Sequence, residues 1–154
     1  MDVSKFQVES AIVGDCDEDT TLLRQMALGA RSYLSSFRWC PAGIKLYLAY
    51  GVGGLVAVFL VELEEASPGM DRFLWVIQGD MPSAYLVTDE APGPAKALIV
   101  YCDLMHDWIA AVREETDLGE VFPVVAEPTL VNAESLESRV GYLREKIIPK
   151  AARH

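Results

Sequence analysis

Apolar residues recur three and four apart at Leu22, Leu23, Met26, Tyr33, Leu34 and Phe37, the spacing of one helical face. Asp15, Asp17, Glu18, Asp19 and Thr20 gather just before it. Carboxylates favour a helix N-terminus, so they mark a start, and the pattern predicts a helix through about residue 38. Trp39-Cys40-Pro41-Ala42-Gly43 then supplies turn chemistry. Beyond it the period changes. Segments at about 44–50, 55–64, 72–79 and 84–88 are rich in strand-forming residues, separated by Gly-Val-Gly-Gly, by Ala66-Ser67-Pro68-Gly69 and by Asp80-Met81-Pro82. Connections this short predict antiparallel neighbours. Leu55, Ala57, Phe59 and Val61 alternate with Val56, Val58 and Leu60, and Phe73, Trp75 and Ile77 with Leu74 and Val76. Both faces of these strands are apolar, so each needs cover: helices on both sides, or helices on one and a second chain on the other.

After Ala91-Pro92-Gly93-Pro94, the residues Leu98, Tyr101, Cys102, Met105, Trp108, Ile109 and Val112 trace a second helix over 94–115. Pro94 suits its first turn. Glu114-Glu115-Thr116-Asp117-Leu118-Gly119 stops it, and a loop with Pro123 and Pro128 follows. A last helix starts near Asn132 with Leu136, Val140, Leu143 and Ile147 on one face and is expected to close at Pro149. The fold class is therefore α+β: a four-stranded antiparallel meander preceded by one helix and followed by two. The 154 residues suit one domain, with 1–14 and 150–154 expected to be loosely ordered.

Charge narrows the partners. Lys and Arg number 13 against 23 Asp and Glu, a formal net charge of −10. Affinity for polyanions comes from Lys and Arg, so neither nucleic acid nor an anionic membrane is expected as a partner. The acids are also concentrated: Asp103, Asp107, Glu114, Glu115, Asp117, Glu120 and Glu127 stand against Arg113 alone, whereas Arg139, Arg144, Lys146, Lys150 and Arg153 outnumber Glu145 further on. Cys16, Cys40 and Cys102 are odd in number and form no C-x-x-C pair, which reads as free thiols. Met1-Asp2-Val3-Ser4-Lys5 lacks the basic start and apolar stretch of a secretory signal, so a cytoplasmic location is expected. The uncharged run Leu46–Val61 would reach only about 24 Å as a helix, short of a hydrocarbon core of about 30 Å. Glycines at 51, 53 and 54 interrupt it, favouring two strands and a turn.

Catalytic patterns are sparse. Cys102 and His106 lie one helical turn apart and could pair a thiol with an imidazole, but the place of Cys102 within the apolar stripe and of His106 at its edge favours packing. No further ligands have metal-site spacing, so neither a metal nor a cofactor is expected. The acidic run from Asp15 is not a calcium loop, because Thr20 stands where Gly is needed and Met26 where the bidentate Glu belongs. Gly51-Val52-Gly53-Gly54 resembles a phosphate loop in composition only, and a strand follows where a helix N-terminus is required. Trp75, Tyr85, Tyr101 and Trp108, with Gln78, Asp80 and Asp89 at strand ends, are candidates for lining a pocket between the sheet and the 94–115 helix.

The stretch Leu74-Trp75-Val76-Ile77-Gln78-Gly79-Asp80-Met81-Pro82-Ser83-Ala84-Tyr85-Leu86, continuing through Asp89 and Pro92 to Asp107-Trp108, resembles a family of small bacterial proteins of unknown function. The resemblance implies a bacterial cytoplasmic α+β protein and transfers no catalytic residue. Two functions follow as expectations. One is a non-enzymatic acidic protein that engages a basic protein partner, of immunity, inhibitor or adaptor type, through Asp103, Asp107, Glu114, Glu115, Asp117 and Glu120. The other is a small-molecule-binding protein or enzyme with a pocket beneath the 94–115 helix. The two-sided apolar sheet adds an expected homodimer.

Overall fold

The computed structural model describes residues 1–65, 68–69 and 71–154; residues 66 and 67 of the expected Ala66-Ser67-Pro68-Gly69 turn lie outside them. The chain runs β1 (Gln7–Val8), a 3-10 turn (Glu9–Ala11), α1 (Asp17–Ser35), β2 (Ile44–Val52), β3 (Val56–Leu63), β4 (Phe73–Gly79) and β5 (Ala84–Val87). It continues through α2 (Pro94–Glu114), a second 3-10 turn (Leu118–Glu120), α3 (Leu130–Tyr142), a π turn (Leu143–Ile147) and α4 (Ile148–Ala152). The four expected strands are β2 to β5, each antiparallel to its neighbour. Among the described residues the sheet nevertheless has five strands, in the order β1-β2-β3-β4-β5. The added edge strand pairs Gln7 with Leu48 and Val8 with Tyr47. Two residues carry no periodicity, so it left no trace in the pattern.

The hairpin from β2 to β3 accounts for the uncharged Leu46–Val61 run. Leu55 N–H donates to Val52 C=O at 3.0 Å, and Gly54 sits at φ +80°, a left-handed position in the third place of the turn that favours glycine. No helix among the described residues is long and apolar enough to cross a membrane.

Strand alternation splits the core in two. Ala57, Phe59, Val61, Leu74 and Val76 face α1, packing with Leu23, Met26, Ala30 and Leu34. Val56, Val58, Leu60, Trp75 and Ile77 face the other way, against Leu98, Tyr101, Met105 and Ile109 of α2 and Leu136 and Val140 of α3. Helices of this one chain therefore cover both faces of the sheet. The case for a homodimer made from an uncovered sheet face loses its premise, because α1 and α2–α3 divide between the sides.

Parts of the terminal segments expected to be loose are tied down, Ile12 being fully buried and Ala151 nearly so. Nor does Pro149 close the last helix, which continues to Ala152. Proline has no N–H and clashes with the preceding turn of a regular helix. The π turn just before it, in which Ile148 N–H reaches Leu143 C=O, widens the spiral where Pro149 enters.

Candidate functional site

The aromatic side chains read as a pocket lining do not share a cavity. Trp75 and Tyr101 are fully buried and Trp108 nearly so, filling the layer between sheet and α2. The polar edges of Trp75 and Tyr101 are satisfied internally. Trp75 Nε1–H donates to Ala91 C=O at 2.6 Å, and the Tyr101 hydroxyl donates to Pro82 C=O at 2.7 Å. Burial pushes the Tyr101 hydroxyl pKa well above its ordinary value, with a smaller push from Cys102. Tyr85 belongs to the opposite face, packed within 5.1 Å of the Phe37 ring and 5.0 Å of the Trp39 ring. Gln78 accepts from the Ser83 hydroxyl at 2.7 Å, Asp80 is ion-paired with Arg139 at 3.3 Å, and Asp89 lies in the turn after β5. Asp80 and Trp108 do line one concavity, of about 150 Å³, with Met81, Pro82 and Leu136, while the other candidates are core on one face, aromatic packing on the other, and surface beyond.

The acidic residues are all exposed. On a helix of roughly 3.6 residues per turn, Asp103, Asp107 and Glu114 fall on one stripe of α2. Arg144, brought over by the π turn, pairs with Asp103 at 2.9 Å and removes it from the free carboxylates. Asp117 turns one oxygen inward, accepting from Gly119 N–H at 2.8 Å. Asp107, Glu114, Glu115 and Glu120 have no ion pair among the described residues. Arg113, the sole cation within the run, is held by Glu137 at 2.6 and 2.9 Å. That guanidinium holds the Glu137 carboxyl below its ordinary range.

At the end of α2 the chain makes an unusual choice. Thr116 N–H donates to Ala111 C=O at 3.0 Å and Glu115 N–H to Val112 C=O at 3.4 Å, the paired bonds of a Schellman cap. The residue in the left-handed position, at φ 54°, is Glu115 rather than glycine. Glu114, Glu115 and Asp117 also surround a helix C-terminus, where the macrodipole disfavours negative charge. Leu130 (63% exposed) lies beside Glu115 on one concavity, and Val125 (87%) and Val131 (75%) also present aliphatic side chains to water. Leu130 helps to line a concavity of about 270 Å³ with Val112, Leu118 and Pro128. The pattern did not single out these aliphatic residues, because an exposed aliphatic and a buried one look alike in a loop.

Cys102 is buried beneath α2 while His106 is exposed. Burial pushes the thiol up to about 11 from an ordinary 9.0, Arg144 lowering it slightly and Asp103 adding to the rise. A thiol so shifted is not an activated nucleophile at neutral pH. The glycine turn offers no phosphate cradle, because Gly53 N–H already donates to Asp19 Oδ1 at 2.6 Å and Gly54 N–H to Met26 Sδ at 3.4 Å. A wider concavity, of about 600 Å³, opens at the other end of α2, lined in part by Phe6, Pro94, Lys96 and His154. Among the described residues no group of three or more His, Cys, Asp or Glu is gathered as a metal site would require. Compared with known protein families, curated proteins and solved structures, this chain matches none of them.

Proposed function

We propose that this chain is a non-enzymatic acidic binding protein that engages a basic protein partner, in the manner of an immunity-type inhibitor or an adaptor. The observation that carries the reading is the row of exposed carboxylates at Asp107, Glu114, Glu115 and Glu120, none ion-paired among the described residues. Uncompensated charge of one sign steers an oppositely charged partner and fixes its orientation. The chain's own cations answer little of it, since Arg113, Arg139 and Arg144 are engaged with Glu137, Asp80 and Asp103. Taken with the resemblance of residues 74–86, continuing through Asp89 and Pro92 to Asp107-Trp108, to small bacterial proteins of unknown function, this reading sets the encounter in a bacterial cytoplasm.

The test is retention of proteins from native lysate by the immobilised chain and by a triple charge reversal, Asp107→Lys, Glu114→Lys and Glu120→Lys. A basic protein held by the parent chain, released by salt and lost on charge reversal is the expected result. Retention indifferent to both salt and charge reversal would sink the reading. A metabolite released from the natively purified protein would favour a ligand-binding role instead. With Trp75, Tyr101 and Trp108 filling the layer beneath α2, the roomiest place for such a ligand is the concavity of about 600 Å³ beside Lys96 and His154.

A further inference from the structure

Resting on that reading, we infer that the cleft where α2 ends and α3 begins receives one aliphatic side chain of the basic partner, flanked on the partner by Lys or Arg. The cleft measures about 270 Å³ and sets Val112, Leu118, Pro128 and Leu130 beside the polar side chains of Arg113, Glu115 and Thr116. Small-molecule sites typically occupy about 300–1,000 Å³, so this one suits a single inserted side chain better than a free ligand. An anchor residue in an apolar pocket, ringed by polar contacts that exclude water, is how interfaces concentrate affinity.

Two placements argue that this surface serves a partner rather than the fold. The first turn of α3 carries Leu130 and Val131, largely exposed, and no acid, although carboxylates there would stabilise the helix. The acids stand instead around the C-terminus of α2, at Glu114, Glu115 and Asp117, where the macrodipole opposes them. The α2 end of the cleft thus holds a charge pattern that is worse for the isolated chain and better for a cation-flanked apolar anchor, and the α3 end supplies exposed aliphatic side chains. Charge complementarity disfavours an acidic occupant, since Arg113, the one cation on the rim among the described residues, is bound to Glu137 through both guanidinium NH2 groups.

The probe is a Lys/Arg-rich peptide with a single central Leu, compared with the same peptide carrying Ser there, titrated into isotope-labelled protein and followed by amide chemical shifts. The Leu peptide is expected to shift the amides of Val112, Leu118 and Leu130 and to bind roughly tenfold more tightly than the Ser peptide. Leu130→Ser, at a position already 63% exposed and so tolerant of change, should abolish that difference, and Leu130→Met should restore most of it. Equal binding of both peptides, with shifts along the Asp107 stripe, would overturn the cleft assignment while leaving the acidic-binding reading intact. No binding of either peptide would overturn both. Self-association of the protein alone, abolished by Leu130→Ser, would put a second copy in the cleft and overturn the inference.

Discussion

Asp19 Oδ1 accepts a hydrogen bond from the backbone N–H of Gly53 at 2.6 Å, joining the first turn of α1 to the hairpin between β2 and β3. Its other oxygen accepts from Asp15 N–H at 2.8 Å, so one carboxylate fixes both the entry to the helix and the turn across the sheet. The acidic run before α1 is therefore more than favourable charge at a helix N-terminus. The approach is close enough to require glycine: a Cβ on Gly53 would lie 2.6 Å from Asp19 Oδ1 and 2.9 Å from the Asp19 carbonyl oxygen.

Gly53→Ala is accordingly expected to destabilise the protein by about 1–3 kcal/mol, because a backbone atom cannot yield as a flexible side chain would. Asp19→Ala, leaving two backbone N–H groups without their charged acceptor, should cost about 2 kcal/mol. Gly141→Ala is the control. It lies within α3, where an added methyl would meet nothing within 4 Å, and should stabilise by about 0.5–1 kcal/mol through helix propensity. Urea midpoints of the three variants check both signs.

How much of this was legible depends on whether a feature leaves a period in the sequence. The β2–β3 hairpin was readable because β-branched and aromatic residues flank a glycine cluster, and Val56-Ala57-Val58-Phe59-Leu60-Val61 declared a strand buried on both faces. That same run could not say which helix covers which side, and the division of α1 from α2–α3 appears only in three dimensions. Trp75 and Tyr85 illustrate the limit at the site. Both are aromatic strand residues, yet Trp75 pairs with Leu86, so Tyr85 points to the other face. Without the register, adjacent positions of β5 are interchangeable. The acidic surface was legible as composition; the Arg144–Asp103 pair, made across 41 residues of chain, was not.

If Trp108 and Tyr101 are core rather than pocket, their loss should appear in stability and not in binding. Trp108→Ala is expected to cost about 3–5 kcal/mol by leaving a cavity between α2 and its cover. Tyr101→Phe, which strands only the Pro82 carbonyl, should cost about 1 kcal/mol. Chemical denaturation gives both values, and Tyr101→Phe should retain any basic partner as well as the parent does.

Thiol chemistry should rank the cysteines by exposure. Cys16 caps α1 at the surface and reacts first with a thiol reagent, Cys40 is partly covered and slower, and Cys102 reacts only on unfolding. The same burial makes the fold alkali-sensitive. Cys102 stays protonated to about 11 in the native state but ionises near 9.0 when unfolded, and Tyr33 is likewise raised by burial and by Tyr85 to about 12 from 10.0. Above these ordinary values the unfolded chain binds fewer protons than the native one, so stability falls as pH rises through the window. The slope approaches about 1.4 kcal/mol per pH unit for Cys102 between its two values and is smaller for the half-buried Tyr33, whose charge water screens. The urea midpoint should therefore drop between pH 9.0 and about 11, and a flat profile would show that these groups are not buried as described.

Glu115 offers the sharpest test, because the fold and the proposed interface ask for opposite residues there. As the left-handed cap of α2 at φ 54°, it holds a conformation that costs an L-residue roughly 1 kcal/mol more than glycine. Its charge beside the helix C-terminus is a further unfavourable term of a few tenths of a kcal/mol. Glu115→Gly should therefore raise stability by about 1 kcal/mol, and Glu115→Gln should recover only the electrostatic part. Both should weaken binding of a Lys/Arg-rich peptide at the cleft, since each removes a rim carboxylate. Thermal midpoint and peptide affinity measured on the same samples separate the two demands. A Glu115→Gly variant that gains stability and keeps full affinity would show that the charge at this cap serves no partner.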